Sequence, residues 1–89
     1  MNIYVGNLDY AVEDADLRDL FAKFGPVSSA RVIKDMYSGR SKGFGFVEMS
    51  NDSEGAAAIS ALDGSDLEGN TIAVKKAEPR ESRGGGGGG

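Results

Sequence analysis

The sequence contains no cysteine and no histidine. Disulfide bonds therefore cannot stabilise the fold, and a zinc site is not expected because Cys and His are the usual zinc ligands. The chain also has no apolar run long enough to span a membrane, and Met1 leads directly into a strand-like segment without a signal-peptide pattern. These absences predict a soluble, cytoplasmic protein that needs no cofactor.

Acidic residues outnumber basic residues in the chain, but the basic residues are clustered in two segments. The 89 residues allow one domain with a modest core, and their net charge is −4. This total argues against nucleic-acid binding, because a basic domain is the usual footprint of such proteins. However, most of the cations lie in residues 31–42 and 75–83, whereas the acids are concentrated at 9–19 and 48–68. A locally positive edge can attract phosphate even when the total charge is negative.

The most informative segment is the octamer at residues 42–49, Lys-Gly-Phe-Gly-Phe-Val-Glu-Met. In a strand, alternate residues share one face, and here one face carries Lys42, Phe44, Phe46 and Glu48. That face must be solvated, because burying an ammonium and a carboxylate is costly. Two phenylalanine rings are therefore predicted on an exposed sheet surface, where flat rings beside a cation are suited to stacking on nucleobases.

The same octamer fits the ribonucleoprotein consensus, basic-Gly-aromatic-small-aromatic-Val-x-aromatic, at seven of eight positions and departs from it at Met49. By parity Met49 faces the core, so the departure concerns packing rather than binding. The shorter partner motif is Ile-Tyr-Val-Gly-Asn-Leu at residues 3–8. Over about residues 2–77 the chain resembles the RNA recognition motif family, in particular the small glycine-rich RNA-binding proteins of bacteria and plant organelles.

Hydrophobic periodicity and turn signals predict the order strand-helix-strand-strand-helix-strand. The predicted strands are 2–8, 27–34, 42–49 and 71–77; the predicted helices are 14–24 and a segment from the cap candidates at 51–53 to about residue 62. This order predicts an α+β, ferredoxin-like βαββαβ sandwich, in which two helices cover one face of a four-stranded antiparallel sheet. We expect the domain to span residues 1–77. The glycine-rich residues 78–89 are expected to form a flexible tail.

The aromatic candidates for RNA binding are Tyr4, Phe44 and Phe46, which parity places together on the uncovered face. The family resemblance implies that Tyr4 and Phe46 each stack on a base, and that Phe44 lies against a sugar or between two nucleotides. Stacking on an aromatic side chain contributes about 1–3 kcal/mol per base. The alternative interpretation is that the rings are ordinary strand formers that pack beneath a tail or a partner.

The polar candidates for RNA binding are Lys42, Arg40, Lys75, Asn7 and Arg80. Lys42 begins the octamer on the face of the rings and matches the phosphate-contacting basic position of the family. Lys75 has outward parity on the last strand, and Arg80 follows that strand. Arg40 could serve solubility alone, and Asn7 could equally cap the turn after the first strand.

Three functions are compatible with these patterns. The first is a monomeric protein that binds single-stranded RNA, with single-stranded DNA as a further candidate ligand, and acts in post-transcriptional regulation or RNA chaperoning. The second is a protein-interaction module whose exposed rings accept a peptide. The third, an enzyme such as a small phosphatase, ranks last because the chain has no His or Cys and no identifiable acid–base pair.

Overall fold

The structure is a computed structural model that describes residues 1–77. Within these residues the elements are β1 (Asn2–Gly6), α1 (Asp14–Ala22), β2 (Val27–Lys34), β3 (Ser41–Met49), α2 (Asp52–Leu62), β4 (Asp66–Leu67), β5 (Asn70–Thr71) and β6 (Ala73–Ala77). The sheet has the strand order β2-β3-β1-β6, and all neighbouring strands are antiparallel. The predicted ferredoxin-like α+β fold is confirmed.

The hydrophobic core lies between the sheet and the two helices. Helix α1 packs on β2 and β3, whereas α2 packs on β3 and β6. Leu17 and Phe21 of α1 and Ala58 of α2 are fully buried in one cluster with inward-facing strand residues such as Ile3. Because both helices occupy the same side, they leave the other face of the sheet without a helical cover.

Two aspartates tie the helices to the edge strands of the sheet. At the start of α1, Asp14 Oδ1 accepts a hydrogen bond of 2.7 Å from the backbone N–H of Val32 on β2. At the end of α2, Asp63 Oδ1 accepts one of 2.9 Å from the N–H of Val74 on β6. Each carboxylate satisfies a backbone donor on a strand that has only one neighbour. These contacts fix both helices relative to the sheet.

The structure shortens two predicted elements. β1 ends at Gly6 rather than at residue 8, because Asn7 adopts a φ of 60° and so leaves extended backbone. α1 ends at Ala22 rather than at residue 24. The N–H of Phe24 bonds to the carbonyl of Phe21, three residues back, so the last turn tightens and the regular helix stops.

The predicted last strand, residues 71–77, is divided in the structure. Thr71 belongs to a separate two-stranded hairpin formed by β4 and β5. Glu68 and Gly69 connect these strands with φ values of 52° and 86°, the two left-handed residues that a tight hairpin of this kind requires. Only Ala73–Ala77 therefore joins the main sheet.

Candidate nucleic-acid interface

Three aromatic side chains occupy the face of the sheet that the helices leave uncovered. Tyr4 on β1 lies directly across from Phe46 on β3, and Phe44 lies across from Gly6. The ring centroids are 5.9 Å apart for Tyr4 and Phe44, 5.8 Å for Tyr4 and Phe46, and 6.0 Å for Phe44 and Phe46. Phe46 is 40% exposed, and the other two rings are half-buried. We call these three residues the aromatic platform.

The alternation along β3 explains why the rings face outward. Val47 and Met49 are buried, whereas Lys42, Phe46 and Glu48 are exposed. The solvent-exposed charges of Lys42 and Glu48 therefore lie on the same side of the sheet as the rings, as the alternation of residues along a strand predicts.

The register of the sheet aligns a cation on each side of the platform. Arg31 on β2 pairs with Phe46, Phe46 pairs with Tyr4, and Tyr4 pairs with Lys75 on β6. The Lys75 ammonium lies 5.7 Å from the centroid of the Tyr4 ring, within cation–π range. A row of cation, ring, ring and cation thus crosses all four strands, and a nucleotide chain crossing the strands could meet both stacking surfaces and positive charge.

On sequence grounds alone, Arg31 is a weaker candidate for RNA binding than Lys42 or Lys75. Its position on an edge strand suggests only a charge that discourages aggregation. Its alternation with the buried Ala30 and Val32 does indicate an outward side chain. Its alignment with Phe46, however, depends on the inter-strand register, which the sequence of β2 alone does not reveal.

Gly6 lies beneath the Tyr4 ring. A Cβ atom built on Gly6 would lie 2.5 Å from the Tyr4 hydroxyl oxygen and 2.8 Å from Tyr4 Cε2, closer than real Cβ atoms approach other heavy atoms. The ring therefore leans along the strand, over the residue two positions ahead on the same face. Gly6 positions Tyr4 by having no side chain. Sequence reasoning missed this role, for which the spacing of the two residues was the available signal.

Lys42 is exposed at the start of β3. The next residue, Gly43, has a φ of 88°, and the pairing of β2 with β3 is irregular between Val32 and Lys34. Glycine meets this backbone requirement without steric cost. The irregularity leaves Lys42 beside an open cleft of about 470 Å³ at one end of the platform. We call this the end cleft; it is lined by Tyr4, by the loop 7–10, by the start of β3 at 42–44 and by Asn70.

Asn7 has a structural role as well as a place in the end cleft. Its side-chain Nδ2 donates a hydrogen bond of 2.6 Å to the carbonyl of Thr71. In return, Asn70 Nδ2 donates one of 3.3 Å to the carbonyl of Asn7. These bonds hold the left-handed turn after β1 against the hairpin strand β5. The alternative that Asn7 stabilises the turn is therefore supported by direct contacts.

Arg40 lies on the exposed loop between β2 and β3 and is not among the residues that line the end cleft. Asp35 organises this loop by accepting hydrogen bonds from the backbone N–H groups of Tyr37, at 2.7 Å, and Ser38, at 3.4 Å. These bonds lower the pKa of the Asp35 carboxyl, and the positive charge of Lys42 adds to the effect. The loop therefore carries a fixed negative charge near Lys42.

The remaining polar candidate, Arg80, and the predicted tail at 78–89 lie outside the described residues. Within residues 1–77 no group of three or more potential metal ligands is found. In the same range, neither helix has the length and apolarity needed to cross a membrane.

The chain was compared with known families, proteins and structures. The family model "RNA recognition motif" matches residues 3–73. The chain is 52% identical to "Putative RNA-binding protein RbpA" of Synechocystis over 98% of this chain and 86% of that protein. It is 49% identical to the crystal structure of RNA binding protein PG1, with a TM-score of 0.87 over 90% of this chain and 96% of the other. A Sxl-lethal protein/RNA complex matches at 29% identity and a TM-score of 0.83, over 88% of this chain and 47% of that one.

Proposed function

The chain belongs to the RNA recognition motif family, and on that premise we propose that it binds single-stranded RNA on the aromatic platform. It is a binding protein rather than an enzyme, as are the proteins of its family. The names of the relatives support RNA as the ligand, because the Synechocystis protein and PG1 are both named as RNA-binding proteins. We propose a domain of residues 1–77 followed by a glycine-rich segment at 78–89.

One observation carries the proposal: three rings have centroids within 6.0 Å of one another on the face of the sheet that the two helices of residues 1–77 leave uncovered. Leaving large apolar side chains in water forgoes stabilisation of about 1.5–3 kcal/mol for each fully exposed side chain. Exposed apolar patches on small domains commonly mark surfaces that bind a ligand. A base that stacks on these rings removes their apolar surface from water, and this burial contributes to the binding free energy.

We assign the roles by position on the platform. Tyr4 and Phe46 each stack on a base, and Phe44 lies against a sugar or between the two nucleotides. Arg31 and Lys75 flank the stacked nucleotides on the two edge strands, where they attract phosphates. Lys42 does the same at the end cleft.

The expected affinity is modest. Two stacked bases contribute about 2–6 kcal/mol gross at 1–3 kcal/mol each. Part of this gain is lost in ordering the RNA strand and the long side chains of the lysines and arginines. We therefore propose that the domain binds more weakly than a protein in which several such domains act together.

Finer aspects of the function follow from the same platform. Single-stranded DNA is a further candidate ligand, because every base has a face on which a ring can stack. We propose that the protein acts as a monomer in the cytoplasm, in post-transcriptional regulation or RNA chaperoning. These roles require binding to the exposed bases of single strands, which stacking provides.

Competition between nucleic-acid forms tests the proposal. A fluorescently labelled, uridine-rich RNA oligomer is titrated with the protein, and its anisotropy is followed. Unlabelled single-stranded RNA should displace it, whereas the same sequence in a duplex should not, because paired bases cannot reach the platform. If the oligomer does not bind, or if duplex and single strand compete equally, stacking is not the mode of binding. A peptide-binding module would be the remaining use of the exposed rings.

A further inference from the structure

The end cleft offers a specific environment to the base that stacks on Tyr4. Its volume of about 470 Å³ lies within the range of about 300–1,000 Å³ that is usual for small-ligand sites. It begins at the Tyr4 ring, whose hydroxyl end lies over Gly6, and extends to the loop that follows β1. A base stacked on this ring can therefore direct one edge into the cleft.

The cleft presents a carboxylate in a fixed position. Asp9 Oδ2 accepts a hydrogen bond of 2.9 Å from the backbone N–H of Ala11, which holds the side chain in the loop. Each carboxylate oxygen has two acceptor sites, so this contact leaves most of the acceptor capacity for a ligand. The loop itself is anchored, because the N–H of Leu8 donates to the carbonyl of Gly43 at 2.8 Å. Asp9 and Tyr4 thus line the same cleft, and the Asp9 carboxylate is held by a hydrogen bond to the backbone of an anchored loop.

The other side chains of the cleft define a complementary pattern. Asn7 and Asn70 each use one Nδ2–H on a backbone carbonyl, which leaves each amide with its oxygen as an acceptor and its second N–H as a donor. Lys42 is the cation that lines the cleft. Among residues 1–77, the charged side chains that line the cleft are therefore the Asp9 carboxylate and the Lys42 ammonium.

Among the four bases, guanine matches this pattern best. Its Watson–Crick edge places two neighbouring donors, N1–H and the N2 amino group, beside the O6 acceptor. A carboxylate can accept from both donors, while a lysine ammonium can donate to O6. Uracil offers one N–H between two carbonyl oxygens, which would face the Asp9 charge. Cytosine and adenine each offer an amino group beside a ring nitrogen that accepts, so neither supplies two adjacent donors.

We infer that the end cleft selects guanine at the Tyr4 stacking position, with Asp9 as the specificity-determining residue. Lys42 donates one N–H to O6, and the other N–H groups of its ammonium remain for phosphate. The inference rests on the proposed RNA binding and adds to it a base preference. Stacking alone tolerates any base, whereas a hydrogen-bonded edge discriminates, because the wrong base leaves a charged group without its partner.

Two oligomers test the inference by fluorescence anisotropy: a short uridine RNA and the same RNA with one internal guanosine. The strand can slide on the protein, so the single guanosine of the second oligomer is able to reach the cleft. We expect the guanosine oligomer to bind about tenfold more tightly, within the range of about 5- to 150-fold for a bidentate contact. Replacing guanosine by inosine, which lacks the N2 amino group, should remove much of the advantage.

Asp9→Asn is the diagnostic variant, because its amide oxygen can still accept from Ala11 while the carboxylate is lost. It should bind the two oligomers with affinities that differ by less than about threefold. Asp19→Asn on the exposed side of α1 changes the net charge equally and should keep the guanosine preference.

The outcomes separate this inference from the proposed function. Equal affinities of the unchanged protein for both oligomers, or a guanosine preference that survives in Asp9→Asn, would overturn the selection of guanine while leaving RNA binding intact. Absence of binding to both oligomers would overturn the proposed function and the inference with it. Inosine that binds as tightly as guanosine would show that Asp9 does not contact the N2 amino group and would refute the bidentate contact.

Discussion

Replacing Phe46 with alanine separates the binding role of the platform from its structural role. The ring is 40% exposed and contacts Tyr4 and Phe44 edge-on, at centroid distances of 5.8 and 6.0 Å. Loss of one stacked base costs about 1–3 kcal/mol of binding free energy, which raises Kd about 5- to 150-fold. Because the ring is only partly buried, we expect the free energy of unfolding to fall by only about 1–2 kcal/mol.

A core variant provides the matched control. Phe21 is fully buried in α1, so Phe21→Leu should lower the free energy of unfolding by about 1–2 kcal/mol through imperfect packing. Its Kd for RNA should stay unchanged, because Phe21 lies on the opposite side of the sheet from the platform. Anisotropy titration gives Kd, and urea unfolding followed by circular dichroism gives stability. An unchanged Kd in Phe46→Ala, or equal losses of affinity in the two variants, would refute the stacking model.

Three further predictions follow from particular contacts. Gly6→Ala should weaken RNA binding without unfolding the domain, because the new Cβ would displace the Tyr4 ring that lies over it; an unchanged Kd with an unchanged ring position by NMR would contradict this role. We expect Arg31, Lys42 and Lys75 to contact about three phosphates together, so log K should fall with log salt with a slope of about −2, at about −0.7 per phosphate; a slope steeper than about −5 would mean that other cations dominate. The Asp35 carboxyl should titrate below its usual pKa of 3.8, because the backbone of Tyr37 and Ser38 and then Lys42 favour its charged form. Its contribution to stability should therefore be present above that value and be lost as the pH falls through the folded pKa; equal midpoints in NMR titrations of the folded and urea-unfolded protein would refute it.

The sequence predicted the features that depend on local alternation. Lys42 and Glu48 mark the wet face of β3, and this parity alone places Phe44 and Phe46 opposite the core. Tyr4 follows from the same argument on β1, between the buried Ile3 and Val5. The order of helices and strands was equally readable, because each long element carries its own apolar pattern.

The features that the sequence did not reveal depend on contacts between distant segments. Arg31 aligns with Phe46 only because β2 and β3 adopt one particular register, which includes an irregularity near Gly43. The bonds between Asn7 and the hairpin strand β5 join residues more than sixty positions apart. The alignment of Arg31 with Phe46 and the bonds of Asn7 to β5 both arise from tertiary packing. Neither therefore produces a periodic pattern in the sequence.

Amide and aromatic chemical-shift mapping during titration with single-stranded RNA tests the central claim most directly. The claim is that bases bind the uncovered face of the sheet. We expect the largest shift changes in the rings of Tyr4, Phe44 and Phe46 and in the amides of β1, β3 and β6, with small changes along the outer surfaces of α1 and α2. Shift changes centred on the helices, with the three ring signals unmoved, would contradict the account.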